Sequence, residues 1–501
     1  MNLRKGLQLA LLPALALSAC AVGPDFKTPD APKAARYTEQ ALPATTASAQ
    51  AAAGLPQRIV DGRDIPAQWW TLFHSPALNS LIEEALKNNP NLQQAEAALR
   101  AAQENVAAQQ GAYYPSVSAN FTPSRQKDAL GTVTSNAASG AGVYNLHTVH
   151  LYISYVPDGF GGNRRQVESL QAQSDAQRFE REAAYLSLTS NVVAAAVQEA
   201  ALRAQIAATE KMVKLEQETL DLTKRQSELG AVPEAAVAAQ LAVLAQTQAQ
   251  LPPLQKQLAQ QRDLIAALAG RLPVDMPHET FELSALQLPQ ELPLSLPSQL
   301  VRQRPDVRAA EENLHAASAD IGVAAANMLP QFSLTAGGGS VATQLSDLFK
   351  SGTGFWNLAG GVTQPLFQGG TLLHRKRAAE AAYDAAAAQY RATVIAAFQN
   401  VADTLQALHA DADALQAAAT AERAAADSLA IARRQVELGD MAYITLLSAE
   451  QNYQQAALNL AQAQANRYAD TAALFQALGG GWWNRDLNTS QSRVWTGSQV
   501  E

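Results

Sequence analysis

The side chains that most often bind metals or attack substrates are scarce in this sequence, with one cysteine and seven histidines in 501 residues. Cys20 has no second cysteine to pair with, which excludes an intrachain disulfide framework and a cysteine-based zinc site. His147 and His150 lie three apart on a predicted strand, so they face opposite sides and do not chelate one metal. His278, His315, His374 and His409 are scattered without ligand spacing and read as solvated or helix-face residues. Gly159-Phe160-Gly161-Gly162 faintly matches a phosphate loop, but it lacks the following Lys-Ser/Thr and the preceding apolar strand. A tight strand-to-helix turn is the better reading. No Ser-His-Asp set or pair of carboxylates stands out. The expectation is a non-enzyme with no cofactor and no metal.

Cys20 nevertheless sits in the most informative stretch. Arg4 and Lys5 precede an apolar run from Leu7 to Leu17 that is too short to span a bilayer, so this reads as an export signal. Leu17-Ser18-Ala19-Cys20 resembles a bacterial lipobox. That resemblance implies a signal peptide over 1–19, cleavage before Cys20 and a lipid on Cys20. The competing reading is an ordinary secretory signal with an incidental cysteine. In enteric-type sorting an Asp after the cysteine retains a lipoprotein at the inner membrane; Ala21 stands there instead, which favours the outer membrane.

Composition agrees with a large folded chain. Apolar residues make up 48% and charged residues 16%, the latter well below the roughly 25% of an ordinary soluble domain. The net charge of -8 leaves no basic footprint, so nucleic acid is not an expected partner.

The elements that would position any site are built twice. Pro90-Asn91-Leu92-Gln93-Gln94-Ala95-Glu96 aligns with Pro305-Asp306-Val307-Arg308-Ala309-Ala310-Glu311, and the register holds without a gap to Tyr114-Pro115 and Leu329-Pro330. Gln226-Ser227-Glu228-Leu229-Gly230 likewise matches Gln435-Val436-Glu437-Leu438-Gly439. Each half reads helix, two strands, long helix, turn, long helix. Val117, Ala119 and Phe121 alternate with Ser116, Ser118 and Asn120, and a returning strand carries Val149, Leu151, Ile153 and Tyr155 on one side. Phe332, Leu334 and Ala336, then Trp356, Leu358 and Val362, repeat the pattern. Residues 124–142 and 337–354 read as exposed loops, with tips near Ala138 and Leu345.

Neither proline nor glycine interrupts 163–229 or 371–438, and helices of that length would run about 100 Å. Gly230 and Gly439 supply the left-handed turn positions. Pro252-Pro253 should kink or interrupt the first return helix. Leu446, Ala449, Tyr453, Ala456, Leu460 and Ala463 fall on a heptad stripe in the second. Four strands cannot close a barrel, and a bilayer tolerates no open sheet edge. Membrane strands here would need several chains, and a homotrimer would supply twelve.

The chain resembles the TolC/OprM-like outer-membrane efflux factors, especially the lipidated NodT-type branch. The resemblance is carried by Cys20-Ala21-Val22-Gly23-Pro24-Asp25-Phe26, Trp69-Trp70, Arg304-Pro305-Asp306, Gln364-Pro365-Leu366-Phe367 and Ala477-Leu478-Gly479-Gly480-Gly481-Trp482. It implies a mixed α+β membrane protein with two tandem repeats, whose coiled-coil hairpins form a periplasmic tube below a shared twelve-stranded trimeric barrel. Expected boundaries are 20–304 for the anchored segment and first repeat (strands about 114–157, hairpin about 163–270). The second repeat is 305–481 (strands about 330–365, hairpin about 371–478), and the tail is 482–501. Residues 21–75, 271–304 and 479–501 are implied to form an equatorial collar.

The implied function is the exit duct of a tripartite efflux system. The implied partners are a periplasmic adaptor docking at the Gly230 and Gly439 tips, an inner-membrane pump of the resistance-nodulation-division class, and outer-membrane lipid. The family's periplasmic gate maps to Ile444, Thr445 and Ser448, with Gln451 a turn later. The acids usual at two of these sites are missing, and Asp440 and Glu450 are the nearest. A periplasmic adaptor lipoprotein and a coiled-coil scaffold are the alternatives, both at odds with two hairpins and paired strand segments.

Overall fold

The structure is a computed structural model that describes residues 21–127, 143–276, 279–438 and 443–485. The first half runs β1 (Arg58–Asp61), α1 (Pro76–Asn88), α2 (Pro90–Gln110), β2 (Ser116–Gln126) and β3 (Tyr144–Tyr155). It continues through α3 (Gly162–Glu228), α4 (Glu234–Gln248), α5 (Leu251–Leu268), β4 (Glu291–Leu294) and α6 (Pro297–Gln303). The second half follows as α7 (Pro305–Ala326), β5 (Gln331–Ala342), β6 (Gly354–Thr363), α8 (Thr371–Leu438) and α9 (Tyr443–Ala477).

Local chemistry explains where these helices begin and end. Asn89 accepts from the Asn91 amide at 2.9 Å and caps α2, with Pro90 at a position where a missing N–H is harmless. Asp158 accepts from the Asn163 and Arg164 amides and caps α3. The helices α3 and α8 run 67 and 68 residues without a break. Gly230 ends the first hairpin's descent at φ +71°, and the Ala231 amide closes back on Gln226 O at 2.8 Å. Pro252 and Pro253 interrupt rather than kink the return: α4 stops at Gln248 and a fresh helix starts at Leu251, with the prolines in its first turn.

One compact unit takes residues 1–29, 98–177 and 310–390, the other 30–97, 178–309 and 391–501, so the units cut across the repeats. The expected collar segment 21–75 is likewise divided between them. The first unit holds an antiparallel sheet in the order β2-β3-β5-β6. Two expected loops are corrected here. Ser124, Arg125 and Gln126 extend β2 against Leu146, Asn145 and Tyr144, and Gly337 to Ala342 belong to β5. Glycine is needed at Gly339 because a Cβ there would meet Val149 O at 2.2 Å. Its loop-like composition reflects close strand approach, not a turn.

The second unit centres on aromatic residues. Trp69, Trp70 and Phe73 are almost fully buried, and Trp69 stacks on Phe475 at 5.2 Å. β1 and β4 pair in parallel. Trp482 Nε1 donates to Gln303 O at 2.7 Å, and Arg304 reaches Asp306 and Ala477 O. The motifs Trp69-Trp70, Arg304-Pro305-Asp306 and Ala477 to Trp482 therefore converge in one place.

The expected heptad stripe on α9 drifts. Leu446, Ala449 and Ala456 are buried, but Leu460 and Ala463 are half-exposed, while Ala461, Ala465, Tyr468, Ala472 and Phe475 take the core. A helix near 3.6 residues per turn walks off a 3.5 repeat.

Candidate functional site

The sheet is a two-faced surface. Val117, Ile153, Ala336 and Leu358 stand in one cross-strand row, and Ala119, Leu151, Gly338 and Trp356 in the next row on the same face. Val117, Phe121, Leu151, Leu334, Trp356, Leu358 and Val362 are all exposed there, Trp356 to 82%. The other face carries Ser118, Tyr152, Gly337 and Asn357 in one row and Asn120, His150, Gly339 and Phe355 in the next. Sequence alternation predicted the apolar faces; the polar rows of His150, Tyr152 and Asn357 emerge only from the register. A contiguous exposed apolar face of this size is rare on a soluble monomer. β2 and β6 are the sheet's two edges.

In the second unit, near the start of α9, Ile444 is 66% exposed. Thr445, Ser448 and Gln451 are exposed with it, and Ser448 Oγ donates to Ile444 O at 3.1 Å. The four sequence-selected gate positions thus share one bare face of α9. The opposite face packs Leu446 and Ala449 onto Leu429 and Ala432 of α8, flanked by Leu215, Val436 and Tyr453. Glu450 belongs to that buried face and lies away from Ile444. Asp440 and Gly439 lie outside the described residues. Leu229, beside Gly230, is exposed at the first hairpin tip.

A buried polar group escaped sequence reading. Glu216 of α3 accepts from Thr247 Oγ1 at 3.0 Å, and burial, with the Glu450 charge adding to it, pushes its carboxyl up to about 7. Only the position of Glu450 next to the predicted core stripe hinted at it.

Cys20 lies outside the described residues, but the segment after it is held firmly. The Val22 amide donates to Phe160 O at 3.1 Å, and Arg165 reaches Val22 O, Asp25 and Glu168. Phe26 stacks on His315 at 4.4 Å. Ala21 is packed against Gly161, where a Cβ would sit 2.7 Å from it. Gly159 to Gly162 form the tight strand-to-helix turn expected of them. Among the described residues no three His, Cys, Asp or Glu side chains gather to hold a metal, and no helix is long and apolar enough to cross a membrane.

Comparison with known proteins places these features in context. The family model described as outer membrane efflux protein matches residues 81–271 and 296–480. The toluene efflux pump outer membrane protein TtgC of Pseudomonas putida is 30% identical over 491 residues, covering 97% of this chain and 98% of that one. The outer membrane protein OprJ of Pseudomonas aeruginosa is 29% identical, covering 94% and 95%. The solved outer-membrane channel OprN superposes with a TM-score of 0.81 at 29% identity, covering 92% of this chain and all, 100%, of that one. The open state of the Neisseria gonorrhoeae MtrE outer membrane channel gives 0.77 at 28% identity, covering 92% and 99%.

Proposed function

The chain belongs to the outer membrane efflux protein family, and from that premise we propose that it is the exit duct of a tripartite efflux system. It is an efflux channel of the outer membrane. The finer reading is a lipid-anchored homotrimer that receives small toxic molecules from a periplasmic adaptor and an inner-membrane pump of the resistance-nodulation-division class.

One observation carries the trimer: a four-stranded sheet with an exposed apolar face and two unpaired edges, β2 and β6. In a bilayer each edge must find a strand, and the β6 edge of one copy can meet the β2 edge of the next until the ring closes. The apolar face then meets lipid and the His150 and Tyr152 face lines water. The Gly230 and Gly439 tips offer the adaptor its docking points, and Ile444, Thr445, Ser448 and Gln451 line the narrow periplasmic end. The duct does no chemistry. Cargo moves through water between polar walls, and an apolar constriction resists ions because they shed hydration there without new ligands.

The measurement that tests this is detergent-solubilised mass together with membrane fractionation. An outer-membrane trimer is expected; a soluble periplasmic monomer overturns the reading. Cys20→Ser should abolish lipidation yet leave trimers in the membrane, because a lipid anchor is modest beside a closed barrel.

A further inference from the structure

Behind the bare face of α9 lies a buried polar layer that transport through the duct does not use. Glu216 of α3 and Glu450 of α9 are both 0% exposed. Glu450 accepts from Thr219 Oγ1 at 3.1 Å and from Gln240 Nε2 at 3.4 Å. Gln240 Nε2 also donates to Glu216 O at 3.2 Å. Glu216 Oε1 accepts from Thr247, but Glu216 Oε2 is buried with no hydrogen-bond partner. One turn on, Gln454 Nε2 donates to Gln250 Oε1 at 3.1 Å. These bonds run between α9 and the first hairpin, so the layer fastens the helix that carries Ile444.

The groups facing it can be named element by element. Burial raises the Glu450 carboxyl, the Thr219 and Gln240 hydrogen bonds oppose that rise, and from α8 Arg433, 3.8 Å from Glu218, pulls it down as well. From α3, Lys211 sits over the Tyr453 ring of α9 at 5.9 Å. From α4 come Gln240 and Thr247, which do not titrate. The donors that reach the two carboxylates are thus hydroxyls and an amide. Two negative charges in such a site repel each other and lose hydration together.

We propose that Glu216 and Glu450 form a proton-binding latch: one proton, taken from solvent onto Glu216 Oε2, holds α9 against α3 and α4, and its loss loosens the helix bearing Ile444, Thr445 and Ser448. The proton removes charge from a buried oxygen that no donor solvates, and leaves a single charge, on Glu450, for Thr219 and Gln240 to solvate. The rise of Glu216 to about 7, caused first by burial, places the exchange near neutral pH. Because the folded value lies above the ordinary 4.5, the latch is strongest in acid and is lost as pH rises through about 7. The site stands on its own geometry; its effect on conductance rests on the duct reading.

The test uses the full-length protein, wild type, Glu216→Gln and Glu450→Gln, between about pH 5 and pH 8. Difference infrared spectra of the wild type should show a protonated-carboxyl C=O band that disappears as pH rises and is diminished in Glu216→Gln. Thermal melts of the wild type should fall over the same range, and those of Glu216→Gln should fall less. Baseline conductance in planar bilayers should rise several-fold with pH in the wild type and stay low in Glu216→Gln. Glu450→Gln removes the like charge and should move the band's titration toward acid. An unchanged band in Glu216→Gln, or melts that follow Na⁺ instead of pH, overturns the proton site. Correct spectra and melts with pH-independent conductance overturn the coupling to α9. A wild type that never conducts overturns the duct reading, while the spectra and melts still decide the site.

Discussion

The sheet of the first unit and the aromatic core of the second are built on opposite terms. Around Trp69, Trp70 and Phe475 every large apolar surface is covered by the chain's own residues, and polar edges such as Trp482 Nε1 and Tyr468 Oη find backbone carbonyls. In the sheet, Trp356 and Leu358 stand bare and two strand edges are open. The aromatic core finishes itself in water. The sheet is finished only by lipid and by further copies of the chain, so exposure there records what the surroundings must supply. Substitutions should therefore act through different variables in the two places.

The largest effect is expected at the self-contained core. Trp69→Ala removes a fully buried ring stacked on Phe475 and should cost about 3–5 kcal/mol, seen as a lowered denaturation midpoint and reduced yield of folded protein. Trp356→Ala, at an exposed position, should leave that midpoint nearly unchanged. Equal losses at the two tryptophans would erase the contrast.

The next test works within the sheet. Leu358 and Asn357 are neighbours on opposite faces of β6. Leu358→Arg should cost about 2–4 kcal/mol of membrane insertion if its face meets lipid, measured as lost outer-membrane trimer. Asn357→Arg should insert normally and alter ion selectivity. Reversal of the two outcomes would exchange the assigned faces.

A smaller effect belongs to a half-buried carboxyl in the second unit, Asp411. Burial first, then a hydrogen bond and the charge from Asp470, push Asp411 up to about 7 from an ordinary 3.8, against the pull of Arg467. The folded value is the higher one, so its contribution is present in acid and is lost as pH rises toward about 7. Asp411→Asn should flatten that part of the pH–stability curve, by no more than about 2 kcal/mol after allowance for screening. A steeper curve in the variant would contradict the sign.

Much of this was legible because it is periodic or punctuated. Prolines at Pro90 and Pro305, the uninterrupted helical runs and the strand alternation at Val117 or Leu358 are local signals, and they named the elements and their faces. Gly337 to Gly339 misled because glycine serves loops and close strand approach alike, and only the Val149 carbonyl beside Gly339 decides which. The core stripe of α9 was right for two turns and then drifted, since heptad spacing is a property of supercoiled partners and not of one helix. Glu216 was invisible for another reason: its partners Thr247 and Glu450 are distant in sequence, and burial of a carboxylate leaves no local pattern.

The smallest energetic effect is also the most informative about transport. Ile444 is 66% exposed, so within one chain it behaves as a surface residue, and Ile444→Ser should change stability by about 0.5 kcal/mol or less. If Ile444 of three copies narrows the periplasmic end, the same variant should raise baseline conductance, because a hydroxyl lets ions and water enter where an apolar ring excluded them. Ser448→Asp, on the same exposed face, should add an acidic ring, increasing cation preference and introducing block by divalent cations. Packing of Ile444 between subunits gives the opposite signature: the serine variant would lose about 2 kcal/mol or more of trimer stability and leave the pore closed. Single-channel recordings of both variants beside thermal melts of the trimer separate a gate from a core residue.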